Sequence, residues 1–164
     1  QAVSRSVKEM NFTKLSTKVS TSFLTDPYST LLHYKRAYKL LVQLKRLRGS
    51  ALVLGSKHQF HIDWKSHFRG LEVEGGSGRV DETVLANAPL HHHLLICLDM
   101  PLYAPFLKNT HLPVLGVVTA KELHDHPEIL DVLDYILPAA SSRADAAFAR
   151  LLSSTQSSQH ETTD

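Results

Sequence analysis

The stretch Ser50-Ala51-Leu52-Val53-Leu54-Gly55-Ser56-Lys57 is an uninterrupted apolar run that stops at Gly-Ser-Lys between two segments of helical pattern. A strand without polar alternation is buried on both faces, which requires a parallel sheet with helices above and below. Two runs of the same kind follow, Leu94-Leu95-Ile96-Cys97-Leu98 and Val114-Leu115-Gly116-Val117-Val118, and a shorter one, Tyr135-Ile136-Leu137, ends at Pro138. Leu71-Glu72-Val73-Glu74 alternates as a further short strand before the flexible turn Gly75-Gly76-Ser77-Gly78-Arg79. At 164 residues the chain suits one α/β domain with a substantial core. Its longest apolar runs are strand-sized, far below the roughly 20 residues of a membrane span, so a soluble protein is expected. Cys97, the single cysteine, falls within a buried strand as a small core residue. It offers no disulfide framework or thiolate metal site, and a reducing compartment is expected.

Helical pattern fills the intervals. The spacing predicts a helix from Ser29 to about Arg48 with Gly49 as its C-cap, and another from His58 to Arg69 ending at Gly70. One or two turns are expected from Asp81 to Ala88 before Pro89, and a short helix from Leu102 to Asn109. Thr119 to His126 reads as a loop and Pro127 to Leu133 as a helical turn. Ser141 or Ser142 caps a last helix through Leu152, with Ala144, Ala147, Phe148 and Leu151 at core spacing. The Ser/Thr/Gln-rich tail from Ser153 to Asp164 is expected to be disordered.

Net charge is only +2, but residues 1–50 hold ten Lys/Arg against Glu9 and Asp26, and the remainder holds eight against fourteen acids. Such asymmetry points to a basic segment that meets a polyanion. Residues 1–29 scatter Arg5, Lys8, Lys14 and Lys18 among hydroxyls, the composition of a mitochondrial transit peptide or of the segment behind one. The chain begins at Gln1, so its true start is expected upstream. The alternatives for this stretch are a flexible basic arm that orders on RNA and a plain, partly ordered terminus. At about 100° per residue, Tyr34, Ala37, Leu40, Leu41, Leu44 and Leu47 of the first helix share one broad arc. Lys35, Lys39 and Arg46 fall opposite, flanked by Arg36. The bland reading is a solvated face; the functional reading is phosphate binding.

Other chemistries have weaker support. Gly55-Ser56-Lys57 lacks the second glycine and longer loop of a phosphate-binding P-loop. Asp99, at the carboxyl end of a core strand, stands where α/β enzymes keep metal ligands and nucleophiles, but Asp99-Met100-Pro101 is equally a helix N-cap. His91-His92-His93 cannot converge on one ion from a strand, whose neighbouring side chains point to opposite faces. His58 with His61, or His124 with His126, pairs more readily, yet no other cluster completes a site. No metal or cofactor is expected.

Taken in order, the pieces resemble the small ribosomal subunit protein 2 family in its mitochondrial form. A basic helix and a strand closing on Gly-Thr-Lys are matched by Thr30 to Leu47 and Leu52-Val53-Leu54-Gly55-Ser56-Lys57. The family's Arg-Trp-x-Gly-Gly-x-Leu-Thr-Asn-Trp-x-Thr segment is echoed by Glu72 to Thr83, and its Leu-Pro-Asp-x-Leu-x-x-x-Asp strand by Pro89 to Asp99. Gly-Ile-Pro-Val-x-x-x-Val is similar to His111 to Val118, and Asp-Pro … Val-Asp-Tyr-Val-Ile-Pro-Gly-Asn to His126-Pro127 … Leu133 to Ala140. The resemblance covers about residues 30–152. Glu72, Val73 and Asp81 replace the arginine and both tryptophans of the Gly-Gly segment, and Ala139-Ala140 stands for Gly-Asn. Five residues between Thr83 and Pro89 replace a long helical hairpin, and the family's N-terminal His-Phe-Gly-His motif has no counterpart.

The resemblance implies a three-layer, doubly wound, mainly parallel flavodoxin-like domain without catalytic activity. It implies a structural component of the mitochondrial small ribosomal subunit, in the matrix, bound to ribosomal RNA and neighbouring ribosomal proteins, with no small-molecule substrate. The residues expected on RNA phosphates are Lys35, Arg36, Lys39, Lys45, Arg46 and Arg48, with Lys57 and Arg79 behind them. Two alternatives stay open: a small phosphate-handling hydrolase using Asp99, and a binding module of another RNA-containing assembly.

Overall fold

A computed structural model describes residues 27–55, 62–68, 70–75 and 79–157. Strands β1 (Ala51–Leu54), β2 (Leu71–Glu74), β3 (Leu94–Cys97), β4 (Val114–Val118) and β5 (Tyr135–Pro138) form one all-parallel sheet in the order β2-β1-β3-β4-β5. This is the flavodoxin-like order, whose winding reverses between β1 and β3. Every residue of β1, β3 and β4 is buried, as their continuous apolar runs require. The basic arm and the end of the expected tail, residues 1–26 and 158–164, lie outside the described residues.

Alternate strand residues feed two cores. Ala51, Val53, Leu94, Ile96, Leu115, Val117 and Leu137 pack beneath α1 (Pro27–Arg46) and α5 (Ser142–Ser157). Leu52, Leu54, Leu95, Cys97, Val114, Val118 and Ile136 face the other way. That side is covered by α2 (Glu82–His91), α3 (Met100–Leu107), α4 (Ala120–Asp125) and a 3₁₀ turn, Pro127–Asp131. Three layers result, with α1 over the edge strand β5 and beside α5.

Several local expectations are corrected. Helix α1 starts at Pro27, whose fixed φ and missing N–H suit a first turn. It closes with Arg48, not Gly49, in the left-handed conformation at φ 54°. Gly49 N–H then donates to Leu44 O at 2.9 Å and Arg48 N–H to Lys45 O at 3.0 Å, the paired bonds of a Schellman stop. Between β1 and β2 the described residues hold only a 3₁₀ turn, Trp64–Ser66, where a helix over 58–69 was expected. Ile62 and Trp64, two residues apart, are both buried, a spacing that an α-helix puts on opposite sides. Residues 56–61 and 69 lie outside the described residues. Helix α2 continues through Pro89, which lies exposed in its last turn.

The expected loop at Thr119 is helix α4, started by a capping box: Thr119 Oγ1 accepts from Glu122 N–H at 3.1 Å while Glu122 Oε1 accepts from Thr119 N–H at 3.3 Å. Ser141 Oγ accepts from Ala144 N–H at the start of α5. That helix buries Asp145, Phe148 and Leu152 and leaves Leu151 54% exposed. It also meets α1, and Phe148 packs with ring centroids 5.7 Å from Tyr34 and 6.3 Å from Tyr38. It runs on to Ser157, into the expected tail, and along it Ser153 and Ser154 donate their hydroxyls to the carbonyls of Ala149 and Leu151.

Candidate nucleic-acid interface

Helix α1 buries His33, Ala37, Leu40, Leu41, Val42 and Leu44, which turns Lys35, Arg36, Lys39 and Arg46 to solvent. Arg48 is exposed just beyond them. Of the residues expected to meet phosphate, these five lie together.

The other three do not join them. Lys45 is half-buried; its ammonium donates to Leu152 O at 3.0 Å and lies 3.4 Å from Nδ1 of His67. Burial lowers its pKa from the ordinary lysine value. This ammonium joins secondary structures within the fold and is withdrawn from the outer face. Arg79 is exposed but follows β2, the edge strand farthest from β5, over which α1 lies. Lys57 lies outside the described residues.

Two further cations, not among those expected on phosphate, belong to the same layer. Arg143 and Arg150 are exposed on α5. At seven residues apart they share a helix face, and the burial of Asp145, Phe148 and Leu152 sends that face outward. Their i, i+7 spacing is visible in the sequence, but a core face that includes apolar Leu151 rotates the helix away from the face it buries. Helix α1 has no acid at all, and Asp145, the one acid of α5, is buried. Among the described residues, helices α1 and α5 expose Lys and Arg and no carboxylate, while Asp63, between the buried Ile62 and Trp64 of the same core, is exposed on this side of the sheet. The opposite layer exposes Asp81, Glu82, Asp125, Glu128 and Asp131 against Lys108 and Lys121. Charge is divided across the sheet as well as along the chain.

Near the basic face, burial first and then the Arg36 charge lower the pKa of His33 to about 4. Burial and then Asp134 raise that of Tyr135, opposed by Arg36.

The carboxyl ends of β1 and β3, where this fold usually binds ligands, are filled from inside. Tyr103, fully buried on α3, donates its hydroxyl to Glu74 Oε2 at 3.2 Å. A Cβ on Gly75, whose φ is +102°, would lie 2.1 Å from that hydroxyl, and one on Gly55 3.2 Å from Cβ of Asp99. Asp99 occupies the N-cap position of α3 but accepts no capping bond, since Pro101 has removed one of the usual donors. The three histidines lie where α2 ends and β3 begins, not along a strand. His91 closes α2. His92 Nε2 lies 2.9 Å from Glu72 Oε2 and its Nδ1 3.2 Å from Ser50 Oγ, while His93 Nδ1 accepts from Ser50 N–H at 3.0 Å. They clamp the amino-terminal ends of β1, β2 and β3. No group of three or more His, Cys, Asp or Glu able to hold a metal occurs among the described residues, and His58 and His61 lie outside them. No helix among the described residues is long and apolar enough to cross a membrane.

No protein-family model and no curated protein sequence matches this chain.

Proposed function

We propose that the protein is a non-catalytic structural component of the mitochondrial small ribosomal subunit, held in place by ribosomal RNA and by neighbouring ribosomal proteins. The observation that carries this reading is the α1 face, where Lys35, Arg36, Lys39 and Arg46, with Arg48 beyond them, are exposed and no carboxylate interrupts them. Uninterrupted cations on a rigid helix suit a phosphate backbone, with contacts that position the protein and read no sequence. The ordered resemblance of residues 30–152 to the small ribosomal subunit protein 2 family supports the ribosome as the particular polyanion. Tyr103, seated in the crevice where a hydrolase would bind its substrate, supports a non-catalytic role and disfavours Asp99 as a nucleophile.

The test is sedimentation of the tagged protein from a mitochondrial lysate, with and without ribonuclease. Co-migration with small-subunit RNA, lost on ribonuclease treatment and reduced by charge reversal of Lys35, Lys39 and Arg46, is the expected result. Migration as a free monomer in both conditions would sink the reading.

A further inference from the structure

We infer that α5 supplies a second cationic row, Arg143 and Arg150, and that the two rows together seat on the backbone of double-helical RNA; this rests on the RNA-binding reading above. Helices α1 and α5 lie side by side and run in the same direction: Phe148 packs on Tyr34 and Tyr38, and farther along both helices Leu152 O receives the Lys45 ammonium. Both bury their apolar stripe in the same core, so both outer faces point away from the same side of the sheet. The α1 row runs roughly 16 Å from Lys35 to Arg46, and the α5 row roughly 10 Å from Arg143 to Arg150. Packed helix axes stand about 8–10 Å apart. Two rows of long side chains on that footing match two phosphate strands flanking a groove, whereas a single strand needs one.

What stands between the rows favours the same partner. Single-stranded RNA is held by stacking its bases on aromatic faces. Tyr34 and Tyr38 are turned partly inward against the buried Phe148, and among the described aromatic residues of α1 and α5 only Tyr28, at the start of α1, is widely exposed, at 78%. Exposed Ala146 and Ala147 lie between Arg143 and Arg150 and allow close approach. The surface has charge and flatness without a stacking platform, which suits the wide, shallow groove of an A-form duplex.

The experiment uses the full chain and two fluorescent probes, an RNA duplex of about 16 base pairs, the span of a double-stranded-RNA module, and one of its strands alone, titrated over a range of salt. Arg143→Gln with Arg150→Gln is expected to weaken duplex binding about tenfold or more and to lower the salt slope by about 1 to 2, with an unchanged melting temperature. Lys35→Gln with Lys39→Gln should do the same, and Lys108→Gln with Lys121→Gln on the opposite layer should change little. Loss with the α1 pair and none with the α5 pair would overturn the second row and leave the ribosomal reading standing. Equal binding of single strand and duplex, or an equal loss with the opposite-layer pair, would overturn the duplex assignment. Indifference to both the α1 and α5 pairs would remove the RNA-binding reading itself.

Discussion

The ammonium of Lys45 donates to the main-chain carbonyl of Leu152, 3.0 Å away, and so ties the last turn of α1 to α5. A charged hydrogen bond of this kind contributes about 1 kcal/mol when half in water. Lys45→Met is expected to lower stability by about that much and to leave RNA affinity and its salt dependence unchanged. Lys39→Met should show the reverse. Urea titration and RNA binding on the two variants separate the roles, and a large affinity loss in Lys45→Met would return this residue to the outer face.

Arg48 holds a backbone conformation, φ 54°, that costs a non-glycine residue about 1 kcal/mol or more. Arg48→Gly relieves that strain but loosens the unfolded chain, so the isolated protein should gain about 0.5 kcal/mol while RNA binding weakens. The opposing changes are read from chemical denaturation and from binding of the same preparation. A gain in stability with no loss of affinity would mean that the arginine serves only the helix end.

A methyl group at position 75 would collide with the hydroxyl of Tyr103 at 2.1 Å, in a conformation, φ +102°, that L residues rarely adopt. Gly75→Ala is expected to cost roughly 2–4 kcal/mol, collision and backbone strain together. Combining it with Tyr103→Phe should recover the collision and leave the strain. Thermal melts of the two single variants and the double variant measure that coupling, and strict additivity would show that the two positions do not meet.

His33, lowered to about 4 by burial and then by Arg36, binds a proton less readily when folded than its ordinary value of 6.5 allows. The unfolded chain then holds more protons between those values, so stability falls as pH drops through 6.5 and levels off below 4. The loss is on the order of 2 kcal/mol once solvent near the ring is allowed for. His67 adds a loss of the same sign, its pKa lowered by burial and then by Lys45 against the opposing pull of Asp63. Melting temperatures across this range should show the fall, and His33→Gln should flatten part of it.

The core strands were legible because a parallel strand buried on both faces leaves a continuous apolar run, and Leu52–Leu54, Leu94–Cys97 and Val114–Val118 have almost nothing else. Helix faces were less so. Leu151 is as apolar as Leu152, and only the meeting of Phe148 with Tyr34 and Tyr38, a tertiary contact, decides which is buried. The α4 capping box was present as Thr119 and Glu122 but stood before too short an apolar pattern to announce a helix. For the candidate interface, the α1 stripe was readable from its period, while its neighbour on α5 lay in the acidic part of the chain. Adjacency across more than a hundred residues of sequence, as between Lys45 and Leu152, has no local signature.

An apolar sheet separates a layer whose helices expose cations and, among the described residues, no carboxylate from one richer in carboxylates. A body with that division has an electrical orientation before it has a contact. In the field of a polyanion it experiences a torque as well as an attraction. The α1/α5 side is drawn inward while the Asp125–Asp131 side is pushed away, so that encounters begin the right way round and the acidic layer is left facing outward. Salt short enough in range to screen this division, at a Debye length of about 8 Å, would slow correct docking before it weakened the docked state.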